Sequence, residues 1–142
     1  MSRRTLRRRF TTLSAAVSLL YGVAGLIATE PLARFGGFVN SVPSAGFGQF
    51  LAASYVGYGV MNWFARDIRD SAARQAIALG NFTGWLLSFV LAVLDVSSGT
   101  LRTFGWPTVL LTAVFSAGWG YFALARPVWD ARSRARPAGT LP

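Results

Sequence analysis

Four apolar stretches, none interrupted by Lys, Arg, Asp or Glu, constrain this chain more than anything else in it. They run from about Phe10 to Ala28, Phe47 to Ala65, Gln75 to Leu94 and Phe104 to Ala125. Each is close to the roughly 20 residues that a helix, rising about 1.5 Å per residue, needs to cross a hydrocarbon core of about 30 Å. Four such runs predict an all-α fold, an integral membrane antiparallel four-helix transmembrane bundle. Pro31, Pro43, Pro107 and Pro127 lie in or beside the intervening loops, and none falls mid-span. Pro107 suits the first turn of the last helix, where its missing N–H costs nothing.

The composition agrees with a membrane solvent. Of the 142 residues, 53% are hydrophobic and 13% charged, where soluble domains carry about 25% charged residues. The formal net charge is +9, and all 14 basic residues are arginine. A basic balance can mark a nucleic-acid binder. Here the arginines cluster between apolar runs, so the expected partner is the lipid bilayer and nucleic acid is not. There is no Cys and no His. Disulfides, thiol nucleophiles, structural zinc sites, histidine-ligated haem and a Ser-His-Asp triad are thereby excluded. The five acidic residues leave few carboxylates for catalysis. Neither a cofactor nor a metal is expected.

The arginines also set the expected orientation. Arg3, Arg4, Arg7, Arg8 and Arg9 precede the first span; Arg66, Arg69 and Arg74 lie between the second and third; Arg126, Arg132, Arg134 and Arg136 follow the fourth. The other two loops hold Arg34 and Arg102 alone. The positive-inside rule then places both termini and the 66–74 loop in the cytoplasm. The domain plan is a basic cytoplasmic N-terminus (1–9), a membrane domain (10–126) and a cytoplasmic tail (127–142). The tail's closing "SRARPAGTLP" has a disordered composition. The cytoplasmic arginines would attract anionic lipid headgroups. "MSRRTLRRRF" before an apolar run also has the form of a signal peptide. No small-x-small site follows in "LIATEPLARF", and three further spans come after, so a retained first helix is expected.

Small residues recur at helix-packing spacing: Ser14, Ser18, Gly22 and Gly25 in the first span, Ala53 and Gly57 in the second, Ala113 with Ala117 and Ser116 with Gly120 in the fourth. Such ridges let backbones approach closely in lipid. They fit packing within the bundle, or a homo-oligomer face. Asn62 lies four residues before Arg66, and Asn81 seven after Arg74, so the two amides reach comparable depths and are expected to meet. They form either a structural bond or a polar pocket for a ligand headgroup. Trp85 falls mid-span beside Gly84 and needs a partner for its indole N–H. It serves either the core or a lipid or quinone cavity. Glu30, Arg34, Asp95 and Arg102 mark the outer edge, where they form a substrate or proton site or ordinary interfacial pairs. Trp63, Phe64, Trp119, Tyr121 and Trp129 on the cytoplasmic side, with Phe104 and Trp106 outside, are expected to form an aromatic belt. The loop "TEPLARFGGFVNSVPSAG" carries Leu32, Phe35, Phe38 and Val39 and is expected to lie on the membrane or cap the bundle.

The stretch "FGQFLAASYVGYGVMNWFAR", residues 47 to 66, resembles a helix of the DoxX-like group of small bacterial four-helix membrane proteins, with its glycine-rich second helix and short basic loop. The resemblance implies the four-helix plan and brings no catalytic residue with it. Two other four-helix families fit worse. Small multidrug exporters need a carboxylate in the first span, which has none. Fluoride channels carry a Thr, Ser and Phe-rich break in the third helix that "GNFTGWLLSFV" scarcely matches. The arginine asymmetry opposes the dual-topology dimers of both.

The expected function is that of a multi-pass protein of the bacterial inner (plasma) membrane without a catalytic site. It would act as an accessory subunit of a larger membrane complex or as a lipophile binder, with Asn62, Asn81, Trp85, Glu30 and Asp95 as ligand candidates. The alternative is an oligomeric small-solute transporter or channel. An outer-face enzyme using Glu30 or Asp95 has the least support.

Overall fold

The structure is a computed structural model and describes residues 3–36, 45–101 and 104–124. It is all-helical over those residues. The order is α1 (Arg3–Ile27), α2 (Thr29–Gly36), α3 (Ala45–Ala65), α4 (Ser71–Ser97) and α5 (Gly105–Leu124). Three of them, α1, α4 and α5, are long and apolar enough to cross a membrane. The 21-residue α3 has the length but a lower hydropathy, because Gln49, Tyr55, Tyr58, Asn62 and its glycines dilute the aliphatic residues.

Local chemistry explains the boundaries. α1 starts among the arginines, well before Phe10, because Arg is a good helix former and nothing breaks the chain there. It ends where Pro31 cannot donate a fourth-neighbour hydrogen bond to Ile27. The chain is irregular at Ala28 and resumes as α2, with the Thr29 hydroxyl donating back to the Gly25 carbonyl. The loop after the first span is thus helical in part; Phe38 and Val39 lie outside the described residues. The carboxylate of Asp70 caps α4, accepting from Ala73 N–H at 2.7 Å and satisfying one of the free donors of the first turn. Gly99, at φ +74°, ends it, since a left-handed residue there is cheap only for glycine.

The four long helices form a ring, α1–α3–α4–α5, with neighbours antiparallel. Along α1, residues 14, 19, 22 and 25 meet 62, 59, 56 and 52 of α3 in reverse order. Gln75, Phe82, Trp85 and Val96 of α4 likewise meet Ala123, Gly120, Phe115 and Gly105 of α5. Phe10 closes the ring against Phe115, Trp119 and Phe122 of α5, its centroid 5.4–5.6 Å from theirs. The Arg8 guanidinium pairs with Asp67 at 3.1 Å, so the start of α1 and the α3–α4 turn share one end of the molecule.

Not every small-residue ridge faces inward. Ser14, Ser18, Gly22, Ser116 and Gly120 are buried, and a Cβ on Gly22 would lie 2.7 Å from Val56 N and 2.8 Å from Ala52 O. Ala53, Gly57 and Ala117 are exposed instead, and nothing lies within 4 Å of a Cβ built on Gly57. The described residues are inverted in polarity: among them Asn62, Asn81, Ser14 and Ser18 are the largest fully buried side chains, while Leu20, Ile27, Phe50 and Phe64 are each at least 74% exposed.

Candidate functional site

The deepest polar groups form a closed knot. Asn62 of α3 and Asn81 of α4 face each other at equal depth, as the arginine-anchored register predicts. Asn62 Nδ2 donates to Asn81 Oδ1 at 2.9 Å, and Asn81 Nδ2 returns a bond to Asn62 Oδ1 at 3.0 Å. The second hydrogen of each amide is also placed: Asn62 Nδ2 reaches Ser14 Oγ at 3.5 Å, and Asn81 Nδ2 donates to Ile77 O at 2.9 Å. Ser14 Oγ further accepts from Trp119 Nε1 at 3.2 Å. One network therefore touches α1, α3, α4 and α5. Among the described residues no buried side-chain nitrogen or oxygen lacks a partner. A network this complete stabilises helix contacts.

Trp119 departs from its expected place. Its position along α5 suggested the interfacial belt, yet it is only 2% exposed and points into the ring. The hydroxyl of Ser14 explains this, because it gives the indole N–H an acceptor inside. Trp63, Phe64, Phe104, Trp106 and Tyr121 are exposed, whereas Trp129 lies outside the described residues.

Beside the knot a cavity of about 140 Å³ opens between α3 and α4. Tyr55, Tyr58, Trp85, Ser18, Ser54 and Ser88 line it; the Ser54 and Ser88 hydroxyls donate to Phe50 O at 3.1 Å and Gly84 O at 2.9 Å. Asn81 forms its deep end; Leu51 and Gly84 complete the wall. Leu51, Ser54 and Tyr58 are exposed, so the mouth faces outward from the ring. The ring of Trp85 is held by stacking on Phe115 at 4.6 Å and 21° and by Tyr55 at 6.4 Å. The volume is close to that of an apolar cavity that admits one benzene ring, and below the 300 Å³ or so of pockets that enclose a whole small molecule. Such a groove takes one ring or chain segment of a longer apolar molecule.

The outer charges do not converge. Glu30 is paired with Arg34 one turn along α2, at 2.5 Å, and both are exposed. Asp95 is half-buried near the end of α4, with no ion pair to either among the described residues. Arg102 lies outside those residues. No group of three or more Asp or Glu that could hold a metal occurs among the described residues. Tyr55, Tyr58 and the groove serines escape notice in the sequence because their spacing says nothing of which helix they face. The glycine at 84 beside Trp85 was the one local signal. In comparisons with known proteins, no family model, curated protein or solved structure matches the chain.

Proposed function

We propose that this chain is a small multi-pass protein of the bacterial inner (plasma) membrane that binds a lipophile in the groove between α3 and α4 and performs no chemistry on it. Four helices cross the bilayer in this reading, α3 included, since its flanking partners carry it across. Both termini and the α3–α4 turn lie in the cytoplasm. The inverted polarity supports a lipid solvent: carbon faces outward, and the amides and hydroxyls are satisfied inside. The shared end of the first arginines and the 66–74 turn supports the orientation, because it gathers the two basic clusters on one side.

The observation that carries the binding role is the groove itself, where Tyr55, Tyr58 and Trp85 come together with Ser18, Ser54 and Ser88 and open outward from the ring. A lipophile with a carbonyl or hydroxyl on a ring, such as a quinone or ring-bearing lipid, would accept from Trp85 and leave its tail in the bilayer. The DoxX-like resemblance fits a protein of this kind, as does an accessory role in a larger complex. Native mass spectrometry of the protein released from membranes should show one lipophile retained per chain. Trp85→Phe keeps the stacking on Phe115 and should lose that adduct. A wild-type chain that carries none, even after incubation with quinones and membrane lipid extract, would overturn the reading.

One observation favours a second reading, an oligomeric transporter or channel: Ala53 and Gly57 present a small-residue face with nothing packed on it, a geometry suited to a helix from another copy. Bilayer crosslinking from Gly57→Cys tests this. A purely monomeric pattern with no solute flux in liposomes would dispose of it.

A further inference from the structure

At the end of the molecule opposite α2, a cavity of about 510 Å³ lies between the start of α1 and the α3–α4 turn. Its lining includes Arg4, Arg7, Arg8, Arg66, Arg69 and Arg74. We propose that this cavity is a binding site for a phosphate-bearing anion of at least two charges, a phosphomonoester or diphosphate group, supplied by a lipid headgroup or by a free phosphate compound. The site is separate from the α3–α4 groove, and ligand binding at each can fail independently of the other.

The charge is unbalanced. Asp67 is the one carboxylate in the lining, and it is shared by Arg8 at 3.1 Å and Arg66 at 3.2 Å. The nearby Asp70 spends its carboxylate on the α4 cap. Among the described residues no carboxylate pairs with Arg4, Arg7, Arg69 or Arg74. Arg7 sits close enough to Arg74 and Arg4 to feel their charges, and it is partly withdrawn from water. Like charges gathered from two chain segments repel, and an anion between them removes that cost.

The geometry is held as well as charged. Asp67 orients Arg8 and Arg66 together. The guanidinium of Arg66 also lies over the Trp63 ring, 3.6 Å from its centroid. Arg74 donates to the Arg69 carbonyl at 3.0 Å, which fixes its direction. Guanidinium forks match the paired oxygens of phosphate in bidentate geometry, and six arginines against the single carboxylate of Asp67 favour an anion of more than one charge. The volume fits the 300–1,000 Å³ of small-ligand sites. Diffuse attraction between arginines and an anionic leaflet needs none of this construction.

Arg7 and Arg9 lie on one helix with equal charge, but only Arg7 lines the cavity. The full chain in phosphatidylcholine nanodiscs should bind inorganic pyrophosphate saturably, one per chain, by titration calorimetry. Arg7→Gln and, independently, Arg74→Gln should each weaken this about tenfold, the scale of a lost charge-assisted hydrogen bond. Arg9→Gln should change it less than about twofold, as a screened exposed charge does. Circular dichroism verifies that each variant is folded. Should Arg7→Gln unfold, Arg7→Lys carries the test, and it should still bind more weakly because the fork is gone. The sources separate in discs that contain phosphatidic acid. Exclusion of pyrophosphate, with one phosphatidic acid retained per chain, assigns the site to lipid; unchanged titration assigns it to a free phosphate compound. The proposal is overturned if pyrophosphate binding never saturates and no phosphatidic acid is retained. It is equally overturned if Arg9→Gln costs as much as Arg7→Gln.

Discussion

Asn62 and Asn81 hydrogen-bond each other in both directions, 2.9 Å one way and 3.0 Å the other, and both are at most 1% exposed. A reciprocal amide pair is specific in register. One helical turn of slip between α3 and α4 would break both bonds and leave the two buried amide oxygens unpaired, since only the nitrogens have second partners, at Ser14 and Ile77.

That register sensitivity sets the first expectation. Replacing one partner strands the other, at a cost of about 1–3 kcal/mol for a buried unsatisfied group. Replacing both with apolar residues removes the demand. Single variants Asn62→Leu and Asn81→Leu should each unfold more readily in detergent, and the double variant should lose less than the two losses summed. Interhelical bonds in membranes average about 0.6 kcal/mol each, so two predict a coupling near 1 kcal/mol. Strict additivity in the cycle would mean that the pair contributes nothing jointly.

Gly22 and Gly57 look alike in the sequence and should behave in opposite ways. A methyl group at Gly22 meets backbone atoms of α3, which cannot rotate aside, so Gly22→Ala should cost about 1–3 kcal/mol by overpacking. At Gly57 the methyl meets nothing within 4 Å, and Gly57→Ala should gain up to about 1 kcal/mol of helix propensity. Thermal unfolding of the two variants side by side reads both signs. Equal destabilisation would mean that Gly57 is covered, as it would be in an oligomer.

These residues show how far a one-dimensional pattern reaches. The apolar runs locate the long helices because solvent chemistry acts on the whole run. The Asn62–Asn81 contact is legible because both depths can be counted from arginines that mark the same end. Depth is only one coordinate, however. Trp119 has the depth of a belt residue and the azimuth of a core residue, and nothing in its neighbours' spacing separates the two. Ala53 and Gly57 form a ridge whose direction the sequence leaves open for the same reason. The arginine cavity was the hardest to see, since it exists only where the start of α1 and the α3–α4 turn converge.

Gly84 and Gly80 offer a test of the groove by bulk alone. Gly84 is part of its wall, and a Cβ there would already be 3.6 Å from the Tyr58 hydroxyl. Gly80, one turn away on the same helix, has open space around it. Gly84→Leu should fill the groove and abolish the lipophile adduct in native mass spectrometry, whereas Gly80→Leu should keep it. Retention of the adduct in Gly84→Leu would place the bound molecule elsewhere.

The orientation can be read on α4 alone. Its 27 residues rise about 40 Å, more than the roughly 30 Å core, so its ends must emerge on opposite sides if it spans. Ser71 opens the helix beside the basic turn, and Ser98 caps its other end. The chain has no cysteine of its own, so Ser71→Cys and Ser98→Cys each carry a single label site. On intact spheroplasts a membrane-impermeant maleimide should label Ser98→Cys and spare Ser71→Cys until the membrane is permeabilised. That follows from the sequence, with twelve arginines in the termini and the 66–74 turn against Arg34 and Arg102 in the other two loops, a bias that insertion rarely defies. The reverse pattern would invert the topology and put the arginine cavity outside the cell. Labelling of both from outside would mean that α4 does not cross at all, which the inverted polarity of the ring makes the costliest of the three arrangements.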